Sequence, residues 1–144
     1  MKSSLMARAV ARFVPVLAAG LACPVHAEPR MPTPRELVEV TDISGLAASP
    51  DGRRVAFRTE RASIDRNSYS LVWHIVDVEG GAARPIGGGG EPVYADPGVV
   101  EPGEAFWSPD GEAIFHRALV DGAIGLWRTA GDGSGRVPVV LAEA

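Results

Sequence analysis

Apolar residues in this chain come in short runs separated by turn formers, and twice the runs fall in the same order around the same four residues. Leu46-Ala47-Ala48 leads into Ser49-Pro50-Asp51-Gly52 and then Val55-Ala56-Phe57; 59 positions later Ala105-Phe106-Trp107 leads into Ser108-Pro109-Asp110-Gly111 and then Ile114-Phe115. Each Ser-Pro-Asp-Gly predicts a tight turn: Pro presets φ at the second turn position, Asp bonds to its own backbone, and Gly accepts the positive φ that closes a hairpin. A tetrapeptide that recurs with apolar runs on both sides is a hairpin repeated in sequence.

The echo extends downstream. Leu71 to Val78 before Glu79-Gly80-Gly81 corresponds to Leu126 to Ala130 before Asp132-Gly133-Ser134-Gly135, and a fourth short strand follows in each half, around Ala83 to Ile86 and around Arg136 to Leu141. Four antiparallel strands per repeat is the blade of a β-propeller. The predicted fold class is therefore all-β, a partial β-propeller of two four-stranded blades. A sandwich of about seven short strands is the competing all-β reading, but its halves would not repeat one turn tetrapeptide at one place. Blade 1 is assigned to residues 43–86 and blade 2 to residues 105–144.

Residues 87–104 lie between them, and four consecutive Gly followed by Pro97, Gly98, Pro102 and Gly103 predict a long loop that sustains no strand or helix for long. Gly87-Gly88-Gly89-Gly90 lacks the Lys-Ser/Thr and the helix that a phosphate-cradling loop needs. Ahead of blade 1, residues 28–42 form a lead in which Thr33-Pro34-Arg35-Glu36 matches a capping box with Pro at the first helical position, so one short helix is expected there.

The first 27 residues change the picture of where the protein works. A basic start (Lys2, Arg8, Arg12), an apolar stretch from Phe13 to Ala22 and small residues before a cut after Ala27 describe a secretory signal peptide. The stretch is too short to span a bilayer unaided, so no stable membrane span is expected after cleavage. The chain is expected to be exported, into the periplasm of a Gram-negative bacterium.

What remains holds eleven Arg, no Lys and all 18 acidic residues, a net charge of −7. That balance argues against a nucleic-acid partner, and the Arg are scattered along the chain. The single Cys, Cys23, falls in the signal, so no disulfides are needed.

The paired Ser-Pro-Asp-Gly blades resemble those of TolB-like proteins and of the prolyl oligopeptidase family of serine peptidases. Pro34-Arg35-Glu36-Leu37-Val38-Glu39-Val40-Thr41-Asp42-Ile43, Arg66-Asn67-Ser68-Tyr69, Gly89-Gly90-Glu91-Pro92 and Arg117-Ala118-Leu119-Val120-Asp121-Gly122 narrow the resemblance. Together they are similar to the N-terminal end of the lasso-peptide isopeptidases, a bacterial branch of that family, from about residue 33 to about residue 137. The resemblance implies a propeller that caps an α/β-hydrolase domain, whose Ser, Asp and His open the isopeptide bond closing a lasso ring. In such chains the hydrolase follows the propeller. This sequence ends at Ala144 after two blades, so the expectation is a piece truncated before its catalytic domain.

The residues agree that no catalytic position can be assigned. No Gly-x-Ser-x-Gly elbow occurs, since Ser134 is preceded two places earlier by Asp132 where the elbow needs Gly. Beyond the signal the only His are His74 and His116; His74 occupies the repeat position of Trp127, and His116 that of Phe57, which favours packing roles. No metal-like spacing surrounds either, and no cofactor motif is present. Ser49, Pro50, Asp51 and Gly52, with Ser108, Pro109, Asp110 and Gly111, are assigned as structural turn residues. Tyr69, Trp73, Trp107 and Trp127 are read as packing between blades rather than lining a pore.

Two function classes follow. One is the substrate-gating propeller portion of an exported serine peptidase or isopeptidase, whose peptide partner is met through the absent hydrolase domain. The other is a non-catalytic periplasmic TolB-like module that holds a protein or peptide partner. In either, two blades leave two faces uncovered, and a chain that pairs with nothing should fold marginally and aggregate.

Overall fold

The computed structural model describes residues 30–141. The signal-peptide assignment lies outside them. Every element below belongs to one compact unit that begins at Pro32. Among the described residues no helix is long and apolar enough to cross a membrane.

Among the described residues one helix forms, α1 (Pro34–Val38). Thr33 caps it, with its Oγ1 accepting from the Glu36 N–H at 3.3 Å while the Glu36 carboxylate accepts from the Thr33 N–H at 2.8 Å. Five residues make too little helix to persist unaided. Arg35 holds it down, donating from both terminal nitrogens to Asp65 at 3.1 and 2.9 Å, and Glu39 accepts from the Ile64 N–H at 3.2 Å.

Ten strands follow: β1 (Thr41–Ala48), β2 (Arg54–Ser63), β3 (Ser68–Asp77), β4 (Arg84–Gly88), β5 (Tyr94–Asp96), β6 (Val99–Val100), β7 (Ala105–Trp107), β8 (Ala113–Val120), β9 (Ala123–Ala130) and β10 (Arg136–Leu141). They build two antiparallel four-stranded meanders, β1-β2-β3-β4 and β7-β8-β9-β10, and a two-stranded hairpin, β5-β6. The fold is an all-β partial propeller of two blades. The Gly- and Pro-rich segment is not strand-free, since it contains β5 and β6, and Tyr69 donates to the Gly98 carbonyl at 3.1 Å to hold that hairpin beside β3.

The register shows that the repeat is structural. In blade 1 Phe57, His74 and Pro85 lie side by side on adjacent strands; in blade 2 His116, Trp127 and Pro138 do. One-residue alternation then assigns the faces. The blade 1 face carrying Ala56, Trp73 and Ile75 meets the blade 2 face carrying Ile114, His116 and Thr129, and all six are essentially inaccessible. Ile86 closes this core from β4, with Ala105 and Trp107 packed against its edge.

Polar bonds fix the two sheets where apolar contact ends. The Trp107 indole N–H donates to the Ala47 carbonyl at 2.9 Å, Arg54 donates to the Gly111 carbonyl at 2.9 Å, and Arg84 donates to the Gly131 carbonyl. Such bonds satisfy carbonyls that the junction would otherwise strand. Gly45, at φ 66° in the β1 irregularity, leaves room for the junction: a Cβ there would lie 2.7 Å from the Gly103 carbonyl oxygen and 2.7 Å from the Trp73 ring.

Candidate functional site

The eight residues singled out from sequence sit at the β1–β2 and β7–β8 connections. Ser49 Oγ donates to Asp51 at 2.6 Å and accepts from the Arg54 N–H at 2.9 Å; Ser108 Oγ donates to Asp110 at 2.5 Å and accepts from the Ala113 N–H at 3.0 Å. Asp51 and Asp110 each accept a further backbone N–H, from Arg53 and Glu112, and the bonds from Ser49 and Ser108 are the main reason both carboxyls are held below the usual range. Gly52 and Gly111 close the turns at φ 71° and 73°. Pro50 and Pro109 are exposed between the buried serines and the aspartates. The serine hydroxyl and the aspartate Oδ1 of each motif are thus bonded within their own turn.

Both described histidines, His74 and His116, contact a threonine, as an activated hydroxyl nucleophile would contact its base. Thr59 Oγ1 lies 3.0 Å from His74 Nε2 and 3.3 Å from the Val72 carbonyl, so its hydroxyl is shared between β3 backbone and imidazole. His116 Nε2 lies 2.8 Å from Thr129 Oγ1, but both residues are sealed in the core and Nδ1 has no partner to orient the ring. Burial pushes His116 down to about 4, so the ring is neutral at pH 7. His74 is lowered too, by burial, and its ring stacks on Phe57 at 5.3 Å. Trp73 and Trp127 are buried, and Trp73 meets His116 ring to ring at 5.3 Å.

A feature not singled out from sequence lies at the end of the junction. Arg58 is buried, with one terminal nitrogen donating both to Glu60 at 2.7 Å and to the Glu101 carbonyl. The Glu101 carboxylate accepts from Arg117 at 2.7 and 2.8 Å. Arg58, Glu101 and Arg117, together with Gly103 and Glu104, border a cavity of about 250 Å³ between the blades. Arg58 and Arg117 occupy the same repeat position, 59 apart, and their shared partner Glu101 lies in the connecting segment. Among the described residues no group of three or more His, Cys, Asp or Glu is arranged to hold a metal.

The geometry is that of two propeller blades joined by a buried core, with a charged cavity at one end. No protein-family model matches the chain, and no curated protein sequence does. Two solved structures are similar to it. One is a serine-to-alanine variant of the AtxE2 isopeptidase with Astexin3-dC4 bound, at TM-score 0.71 and 27% identity over 76% of this chain and 20% of that one. The other is the AtxE2 isopeptidase in its apo form, at TM-score 0.66 and 26% identity over 78% of this chain and 20% of that one. The chain spans about a fifth of the length of the isopeptidase it resembles. The similarity supports a relationship to that enzyme, at the level of a peptidase-associated domain.

Proposed function

We propose that this chain is the substrate-positioning propeller portion of an exported serine isopeptidase acting on lasso peptides, with the hydrolytic Ser, His and Asp supplied by an α/β-hydrolase domain outside this sequence. The observation that carries the reading is the 27% identity and 0.71 TM-score to an isopeptidase holding a bound peptide. The two histidines support it, because each is committed to a structural threonine. A unit of this kind contributes by restricting which peptide reaches the reacting centre and in what orientation, effects that enter the barrier through positioning. Opening a lasso ring adds water across the isopeptide bond, returning a free amine and a free side-chain carboxylate.

The test is to incubate the purified chain with Astexin3-dC4 and follow the peptide by mass spectrometry, with native mass spectrometry or calorimetry for the complex. Binding with no gain of one water is the expected result. Failure to bind would leave the TolB-like partner-binding reading as the better one, and a peptide heavier by one water would overturn the division of labour.

A further inference from the structure

We infer that the groove between the tip of the β2–β3 hairpin and the β5–β6 hairpin takes an aromatic side chain of a bound peptide. It rests on the peptide reading above for its ligand and on the local geometry for its place.

The groove arises where the repeat breaks down. β2 and β3 pair from Arg54–Asp77 to Ser63–Ser68, whereas β8 and β9 pair only from Ala113–Ala130 to Val120–Ala123. Arg54 and Ala113 share a repeat position, so the blade 1 hairpin runs further at the end away from the Ser-Pro-Asp-Gly turns. Side chains alternate along a strand, which puts the Ala62 and Tyr69 pair on the same face as Trp73 and Ile75. There Tyr69 meets the β5–β6 hairpin: its hydroxyl donates to the Gly98 carbonyl at 3.1 Å, and its ring meets Tyr94 edge to face at 6.2 Å. α1 reaches the same end through Arg35 and Glu39, which bond Asp65 and the Ile64 N–H. Three features outside the repeat thus gather at one end, and in repeat folds such additions collect on one face, often the binding face.

Together they shape a groove of about 420 Å³ lined by Val38, Ile64, Asn67, Tyr69, Tyr94 and Gly98. Val38, Ile64 and Tyr94 are each about half exposed, so apolar surface meets the opening from α1, the β2–β3 tip and β5. The two tyrosine rings, at 68° to each other, offer an edge and a face, and a third ring extends the edge-to-face packing that aromatic groups favour. Asn67, held at φ 45° in the hairpin tip, adds a side-chain amide, and Ser63 and Ser68 add hydroxyls. Apolar walls with a few polar groups are the make-up of a ligand site. No charged side chain lines this groove, in contrast to the cavity at Arg58, and that selects an aromatic ring over an acidic or basic side chain.

The test titrates N-acetyl-phenylalanine amide and Astexin3-dC4 separately into the purified chain, with site-resolved NMR shifts for the first and calorimetry for the second. The amide should shift Ile64, Tyr69 and Tyr94 first, and N-acetyl-lysine amide should leave them unmoved. Tyr94→Ala and Ile64→Ser, on different walls, should each weaken Astexin3-dC4 by about tenfold. Ile64→Ser keeps the backbone bond to Glu39, so it carries the test should Tyr94→Ala lose the hairpin. Amide binding in the groove with no binding of Astexin3-dC4 would uphold the site and count against the isopeptidase reading. Shifts elsewhere with none at the groove, or variants that hold Astexin3-dC4 as tightly as the unaltered chain, would overturn the inference.

Discussion

Blade 1 and blade 2 are one pattern written twice, and they differ most where the pattern is the same. Trp73 and Leu126 share a repeat position, yet Trp73 is sealed between the sheets and Leu126 is 38% exposed. Phe57 and His116 share another, and there the order reverses: His116 is buried and Phe57 only half so. Position within the blade decides which face a side chain joins, and position of the blade within the molecule decides whether that face is covered. The energetics of the two blades should therefore diverge at equivalent residues and converge at the turns.

The largest divergence is expected at Trp73. Trp73→Ala removes the largest fully buried side chain of the junction and should cost about 3–5 kcal/mol in denaturant unfolding, whereas Leu126→Ala, measured in dilute solution, should stay within about 1 kcal/mol. Equal costs would mean that the junction is not the core.

The buried histidine gives the next effect. His116 titrates near 4 in the fold and near 6.5 when unfolded, so the unfolded chain binds the extra proton between those values. The stability this neutral ring contributes is fully present above about pH 6.5 and is lost as pH falls toward 4, by about 3 kcal/mol in all. His116→Phe, which installs the blade 1 residue, should flatten that part of the curve. Unfolding series at pH 7.5, 5.5 and 4.5 on both proteins measure the difference, and parallel curves would contradict the assignment.

Convergence is the expectation at the turns. Ser49→Ala and Ser108→Ala each strip a buried hydroxyl that both donates and accepts, and each should cost about 1–3 kcal/mol, with the two values close to each other. The smallest effect belongs to Gly52→Ala. A Cβ there meets nothing within 4 Å, so only the left-handed φ of 71° opposes it, for about 1 kcal/mol by thermal unfolding.

Much of this was legible before any coordinates. The repeated Ser-Pro-Asp-Gly, the four runs per unit and the helix start at Thr33 are local signals, and local signals survive folding. The full length of β2 was not legible: it runs to Ser63 through Arg58-Thr59-Glu60-Arg61, a stretch that reads as solvated charge. It remains a strand because Arg58 finds Glu60 beside it and the Glu101 carbonyl 43 residues away, a partner no local pattern reveals. The hairpin of β5 and β6 was hidden for a similar reason. Pro97 and Gly98 occupy its turn, and the bond from Tyr69 that holds it comes from another blade strand. The two histidines were placed correctly on strands, but their threonine partners depend on cross-strand register.

The claim that joins these observations is that the two blades are the propeller portion of an isopeptidase, and the locus that encodes them tests it most directly. Translating the DNA beyond the codon for Ala144 in every forward frame should reveal further Ser-Pro-Asp-Gly repeats and then a Gly-x-Ser-x-Gly elbow. A stop codon followed by unrelated sequence in all frames would contradict that claim and leave a small binding module in its place.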